Sequence, residues 1–240
     1  YKRQVYEDIY STPGHKKYYV VSDVLENFVS KAGQHIEILK LEEFGSALFI
    51  DSELQVAEKD EKKYSSQFVS SALNLQKDNS SAAIIGGGDG GVARELLSKG
   101  FDLIDWYELD PEVVKVCQKH LPKICGDTKA NNKVKTYWGD AFESIKKVKD
   151  SKYDKIFVDL NDDQFCINLA AKNMKGLKRI LKPDGVLTAQ VGCMSKKPRQ
   201  VKNWLDLLKN NFGNVILDEV FIPSFDCRWN FASSLNKNQS

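Results

Sequence analysis

From Ser80 onward, apolar runs alternate with amphipathic stretches, and few folds satisfy that rhythm. SAAIIG (81–86), DLIDWYE (102–108), KVKTYW (133–138), YDKIFVD (153–159) and GVLTAQV (185–191) are short and rich in apolar residues, as strands covered on both faces are. Between them, VARELLSKG (92–100), PEVVKVCQKHL (111–121) and NMKGLKRILK (173–182) are amphipathic in the way of helices. Strand–helix alternation of this kind predicts a doubly wound, mostly parallel, Rossmann-like α/β sheet. KPDG (182–185) reads as the helix stop and turn that feed the fifth strand. NVILDEVFIPSF (214–225) and CRWNFASS (227–234) read as a closing antiparallel strand pair.

The first 64 residues have a different rhythm. HIEILKLEEFGSALFIDSELQVAEKDE (35–61) alternates apolar with polar residues and breaks at Phe44–Gly45 and Asp51–Ser52, which predicts a small antiparallel β-unit with hairpin turns. KKYSSQFVSSALNLQ (62–76) reads as a helix leading into the second half. The expected organisation is an N-terminal β-strand domain over 1–64 and a Rossmann-like domain over 65–240, with a loose polar tail, NKNQS.

Composition removes several function classes. The net charge of +2 is close to balance, and the lysine-rich stretches 146–155 and 195–202 carry no aromatic stacking pattern, so they read as solvated surface and no nucleic-acid partner is expected. The five cysteines are widely spread without CxxC or Cys/His spacing, which predicts reduced cytoplasmic thiols and no metal site. No apolar run approaches the ~18 residues of a membrane helix, and no signal-peptide core opens the chain, so no membrane partner is expected.

The chemistry concentrates at the strand ends, where ligands bind in such sheets. GGGDGG (86–91) follows the first strand, with Asp89 inside the turn. Glu108 closes the second strand, 22 positions after Gly86, where an acid can accept from both ribose hydroxyls. Asp140 closes the third, where a carboxylate can accept from an adenine amino group. Together they describe an adenosine site. A pyrophosphate would meet the Asp89 carboxylate unfavourably, so the group beside it should be cationic, as in a sulfonium nucleoside. The carboxylate of S-adenosylmethionine would also lie near this loop, so the decarboxylated compound suits Asp89 better. Asp159 and Asp162 follow the fourth strand and complete an acidic pocket fit for a polyamine, in which Asp159 can take a proton from an attacking amine.

With these residues, the chain resembles the polyamine aminopropyltransferases, the spermidine and spermine synthase family, from about Gln34 to Ser234. GGGDGG, YELDPEVV, GDAFE, YDKIFVDLND and LKPDGVLTAQ stand in the family's order and spacing. The resemblance implies a sheet of the class I methyltransferase type and transfer of an aminopropyl group from decarboxylated S-adenosylmethionine to an amine, releasing methylthioadenosine. It makes Asp159 the base and Asp89 the holder of the aminopropyl ammonium. Gln34, Gln55, Gly86, Gly88, Glu108, Asp140 and Ala141 fall on the nucleoside side, and Tyr64, Asp162, Phe225 and Asp226 on the acceptor side. It also implies a homodimer. DLND (159–162), IPSF (222–225) with Trp229, and KICGD (123–127) look closer to the spermine and thermospermine branch, so spermidine is the expected acceptor and Asp226 the expected further acid. Ser65–Ser66 and the Pro- and Gly-free segment DQFCINLAAKN (163–173) depart from the family's pattern. These departures motivate one other reading, a non-catalytic nucleoside-binding relative; the resemblance also leaves a methyltransferase on the same fold, which Asp89 opposes.

Overall fold

The protein is described by a computed structural model covering residues 4–10, 12 and 14–237; the end of the polar tail, 238–240, lies outside the described residues. Two sheets carry the architecture. The first is antiparallel, with β1 (Gln4–Asp8), β2 (Lys17–Val29), β3 (His35–Leu41), β4 (Gly45–Ile50) and β5 (Glu53–Ala57) in sequential order. Helix α1 (Glu61–Leu75) follows at once and packs on the second sheet and on α2.

The second sheet is built from β6 (Ser81–Gly86), β7 (Leu103–Glu108), β8 (Val134–Trp138), β9 (Tyr153–Asp159), β10 (Leu181–Cys193), β11 (Ile216–Ile222) and β12 (Cys227–Leu235). Its order is β11-β12-β10-β9-β6-β7-β8. Strands β6 to β10 are parallel to one another, while β12 runs antiparallel to both β10 and β11. This is the doubly wound sheet with an antiparallel C-terminal pair that the sequence predicts, preceded by the small antiparallel β-unit. The order reverses between β6 and β9, so the crevice of such a sheet opens beyond those two strands.

Strand alternation divides the core. On β6, Ala82 and Ile84 face a cluster with Phe68, Val92 and Leu96, whereas Ala83 and Ile85 face one with Met174, Leu177 and Trp204. Thus α1 and α2 (Gly91–Ser98) cover one face, and α6 (Gln164–Ile180) and α7 (Pro198–Phe212) the other. Strand β3 is split in the same way. Leu39 and Leu41 join the first cluster, while Ile36 and Ile38 pack with Val113, Cys117 and Leu121 around α3 (Pro111–His120) and α4 (Pro122–Cys125). The two sheets therefore share a continuous apolar interior, and hydrophobic burial fixes their relative position.

Some local expectations change. KPDG does not precede the fifth strand but lies inside β10, at a break in its register with β9, where Asp184 takes φ +60°. The segment after Asp162 is regular helix from Gln164, capped by the Asp163 side chain on the Cys166 amide at 2.7 Å. Lacking Pro and Gly, it has nothing to break that helix. None of the described helices is long and apolar enough to cross a membrane.

Register is tightest where β6 meets β9. Gly86 pairs with Asp159, the Gly87 amide donates to the Asp159 carbonyl at 3.1 Å, and Gly86 takes φ +86°. A β-carbon on Gly86 would collide with that same carbonyl, a backbone atom that cannot swing aside. Gly86→Ala is therefore expected to cost at least ~2 kcal/mol, a fall of roughly 5 °C or more in a thermal melt. An unchanged melting temperature would contradict this contact.

Candidate active site

A cavity of about 250 Å³ opens at the carboxyl ends of β6, β7 and β9 and is closed from above by β4 and β5. Its floor is the glycine turn. Asp89 Oδ1 accepts from the Gly91 amide at 2.7 Å, holding the carboxylate at the mouth of α2. Trp106 fixes the turn from beneath, its indole N–H donating to the Gly86 carbonyl at 2.8 Å. Gly87 brings backbone so near β9 that an added β-carbon would lie 2.8 Å from Asp159 Oδ2.

Asp159, the last residue of β9, thus faces the Asp89 turn. Tyr64 approaches from α1 and donates its hydroxyl to Asp159 Oδ1 at 2.6 Å. An aromatic cage of Phe68, Phe225, Trp229 and Phe231 positions the Tyr64 ring. Phe225 itself is held by Asp60, just before α1, which accepts from the Ser224 amide at 2.7 Å and its hydroxyl at 2.9 Å. Contacts across 164 residues of sequence therefore place the aromatic wall.

The carboxylates share one electrostatic predicament. Lost hydration lifts Asp89 well above the usual carboxylate range, and repulsion from Asp159 and Glu61 lifts it further. Burial raises Asp159 to about 6, against the lowering effect of the Tyr64 hydrogen bond. Glu108 is pushed up to about 7, again chiefly by burial, although its Oε1 accepts from the Asp110 amide at 2.9 Å. Glu61 lies beside the turn and is matched by Arg94, through Nη1–Oε2 at 2.7 Å and Nη2–Oε1 at 3.1 Å. That arginine serves Glu61, and no described cation forms an ion pair with Asp89 or Asp159. A cationic ligand would relieve them both.

Most residues singled out from the sequence converge here. Gln34, Gln55, Tyr64, Gly86, Gly88, Asp89, Glu108, Ala141, Asp159, Asp162 and Phe225 all line the cavity. Asp140 and Asp226 do not. Asp140 lies just outside, capping α5 (Ala141–Ile145) by accepting from the Phe142 amide at 2.8 Å and the Glu143 amide at 3.3 Å. Asp226 is exposed on a left-handed turn, φ +50°, beside a separate surface hollow with Lys17 and Ser224. Among the described residues no group of His, Cys, Asp or Glu could hold a metal ion.

Sequence reasoning missed Glu53 and Glu61, which also line the cavity. Both stand in ELQVAEKDE, whose acids read as a polar strand face. For Glu61 the signal is the acidic pair Asp60–Glu61 at the start of a helix; Glu53, on β5, has none. Gln190 was also missed. It accepts from the Trp229 indole N–H at 3.1 Å and donates to the Leu160 carbonyl, tying the loop after β9 to the C-terminal hairpin.

The fold and this strand-end site define a class, the methyltransferase-like proteins with an added N-terminal β-sheet. Two spermidine synthases of known structure share that fold. One, solved in complex with the transition-state analogue AdoDATO, superposes with a TM-score of 0.90 at 20% identity, over 98% of this chain and 81% of its own. The other, from Thermotoga maritima, gives 0.87 at 21% identity, over 98% and 80%. A polyamine aminopropyltransferase of Prochlorococcus marinus (strain MIT 9215) is 35% identical over 224 residues, covering 88% of this chain and 78% of that protein. One from Korarchaeum cryptofilum is 26% identical over 215 residues, 89% and 67%. The spermine/spermidine synthase domain model matches residues 61–240. The chain belongs to the spermine/spermidine synthase family.

The raised Asp159 has a consequence for stability. Its folded pKa of about 6 exceeds the ordinary value of 3.8, so the folded state holds its proton more tightly than the unfolded chain does. Stability from this group is full below about pH 4 and is lost as pH rises through about 6. The ionised carboxylate then costs on the order of 2–3 kcal/mol. Asp159→Asn, which keeps an acceptor for Tyr64, is expected to melt several degrees higher than the parent at pH 7.5, with the gain vanishing near pH 4. A variant no more stable at pH 7.5 would show that the carboxylate is not penalised.

Proposed function

We propose that the protein transfers the aminopropyl group of decarboxylated S-adenosylmethionine to a polyamine amine, releasing 5'-methylthioadenosine. The observation that carries this reading is the pair Asp89 and Asp159, two half-buried acids facing one cavity with no described cation paired to either. In this reading Glu108 accepts from the ribose hydroxyls, and Gln34, Gln55, Gly86, Gly88 and Ala141 enclose the nucleoside. Asp140 offers its remaining oxygen to the adenine. Asp89 holds the aminopropyl ammonium and so fixes the carbon next to sulfur.

The acceptor enters as an ammonium beneath Tyr64. Asp159 takes one of its protons, and the freed lone pair attacks the carbon bonded to the sulfonium. The new N–C bond forms as the C–S bond breaks, and the sulfonium electron pair leaves on neutral methylthioadenosine. The product nitrogen carries the remaining positive charge. A base held near pH 6 suits this step, because it is ionised at neutral pH yet still basic enough to take a proton. The acceptors in this reading are spermidine, which IPSF with Trp229 favours, and putrescine. We place the enzyme in the cytoplasm as a homodimer; five unpaired cysteines fit a reducing compartment.

The test is turnover with decarboxylated S-adenosylmethionine against putrescine, spermidine and longer amines, following methylthioadenosine release and product mass. Release with one preferred amine is expected, with kcat/KM rising with pH through about 6 as Asp159 ionises. Asp159→Asn should lose roughly 10²–10⁴-fold in kcat. No release with any amine, or an undiminished Asp159→Asn, would overturn the reading.

A further inference from the structure

Two cysteines meet at the joint that carries the aromatic wall of the cavity. Cys193 ends β10 and pairs across the ladder with Trp229, while Cys227 opens β12 two residues earlier. Strand alternation therefore puts Cys227 and Trp229 on one face of β12, with Cys193 beside them, and all three are buried in the cluster that holds Phe225. Neither cysteine is in a disulfide. The Cys227 thiol is a hydrogen-bond partner of the Cys193 sulfur, and Cys193 Sγ also lies 3.1 Å from the Ser195 hydroxyl.

These surroundings favour a thiolate. The Cys227 thiol, then the Ser195 hydroxyl and the Lys196 and Ser195 amides, stabilise a negative sulfur at Cys193 against burial and hold its thiol well below the ordinary range. The same bond raises Cys227, so the pair keeps one proton between its two sulfurs. Positive charge is fixed nearby. Lys196 Nζ donates to the Phe225 carbonyl at 2.8 Å and Lys17 Nζ to the Ser224 carbonyl at 2.9 Å, and both ammonium groups act on Cys227. Cys227 directly follows Asp226, which lines the surface hollow with Lys17 and Ser224, so a small oxidant in that hollow is one residue away.

We propose that Cys193 and Cys227 form an oxidation site, a thiol pair that a hydroperoxide closes to a disulfide and a thiol reductant reopens. The Cys193 thiolate attacks the peroxide; an S–O bond forms, the O–O bond breaks, and the departing alkoxide or hydroxide takes a proton from solvent. Cys227 then attacks the sulfenic sulfur. The S–S bond forms, the S–O bond breaks, and the hydroxyl leaves with the Cys227 proton as water. Two electrons pass from the two sulfurs to one hydroperoxide. Hydrogen-bonded thiols stand farther apart than the about 2.05 Å of bonded sulfurs, so closure draws the start of β12 toward the end of β10. Phe225 and Trp229 flank Cys227 in sequence and both line the cavity, so the wall moves with it.

The experiment treats the reduced protein with hydrogen peroxide and maps its peptides by mass spectrometry without reduction, for the parent and for Cys227→Ala. The parent should yield a linked Cys193–Cys227 peptide, two hydrogens lighter than the sum of its parts, which dithiothreitol removes. Cys227→Ala should stop at a sulfenic acid on Cys193 that dimedone traps. Turnover of the parent with decarboxylated S-adenosylmethionine and the amine it prefers should fall at least roughly tenfold on oxidation and return on reduction, as displaced wall residues would cause. That readout alone rests on the aminopropyltransferase reading. No linked peptide in the parent, or one that joins Cys117, Cys125 or Cys166 in its place, overturns the site. A linked peptide with turnover unchanged overturns the coupling to the wall. A reduced parent that turns over no amine overturns the transfer reading, while the peptide map still decides the site.

Discussion

The contact between the glycine turn and the end of β9 is the constraint on which the site depends. Because Gly86 and Gly87 lie directly against the backbone of Asp159, the Asp89 turn cannot move away from the carboxylate across the crevice. Two acids are thereby held facing one cavity, and burial and mutual repulsion oppose the ionisation of Asp89. Such an arrangement is unfavourable for the empty protein and favourable for one that receives a cation. Sequence, register and electrostatics meet at this point.

The surrounding elements work to hold that arrangement. Helix α1 brings Tyr64 onto Asp159 and Glu61 beneath the turn, and Arg94 neutralises Glu61 so that it does not add a full unpaired charge. The Asp60–Ser224 bonds draw the C-terminal hairpin over the cleft, which sets Phe225 and Trp229 as an apolar wall. An apolar wall beside the acids keeps water out and strengthens each charge interaction. The N-terminal sheet closes the cavity with Gln34, Glu53 and Gln55, and it can do so because β3 shares apolar contacts with both clusters around it.

What was legible in the sequence is what short-range chemistry decides. The strands of the second sheet follow from apolar runs, and the turn follows from glycines no other residue could replace. The acids Asp89, Glu108 and Asp159 were legible because strand ends in this fold face one crevice. Asp140 also stands after a strand, but one of its oxygens is taken by the free amides of the helix it precedes, so it flanks the cavity without lining it. Asp226 looked close to the cleft by its neighbours, yet a left-handed backbone at that residue turns it outward. Gln190 could not be read as a site residue, because its partners, Trp229 and Leu160, come from distant segments, and Glu53 could not, because its own surroundings look like ordinary charged strand surface. KPDG showed the limit of turn chemistry, since the strand forms on both sides of the irregularity.

The central claim is that the cavity is built for a nucleoside bearing two positive charges and no negative one. The most direct test is to measure the affinities of decarboxylated S-adenosylmethionine and S-adenosylmethionine for the parent protein and for Asp89→Asn. The account requires the decarboxylated compound to bind at least tenfold more tightly to the parent, and that preference to shrink when Asp89 loses its charge. Equal affinities, or tighter binding of S-adenosylmethionine to the parent, would contradict it.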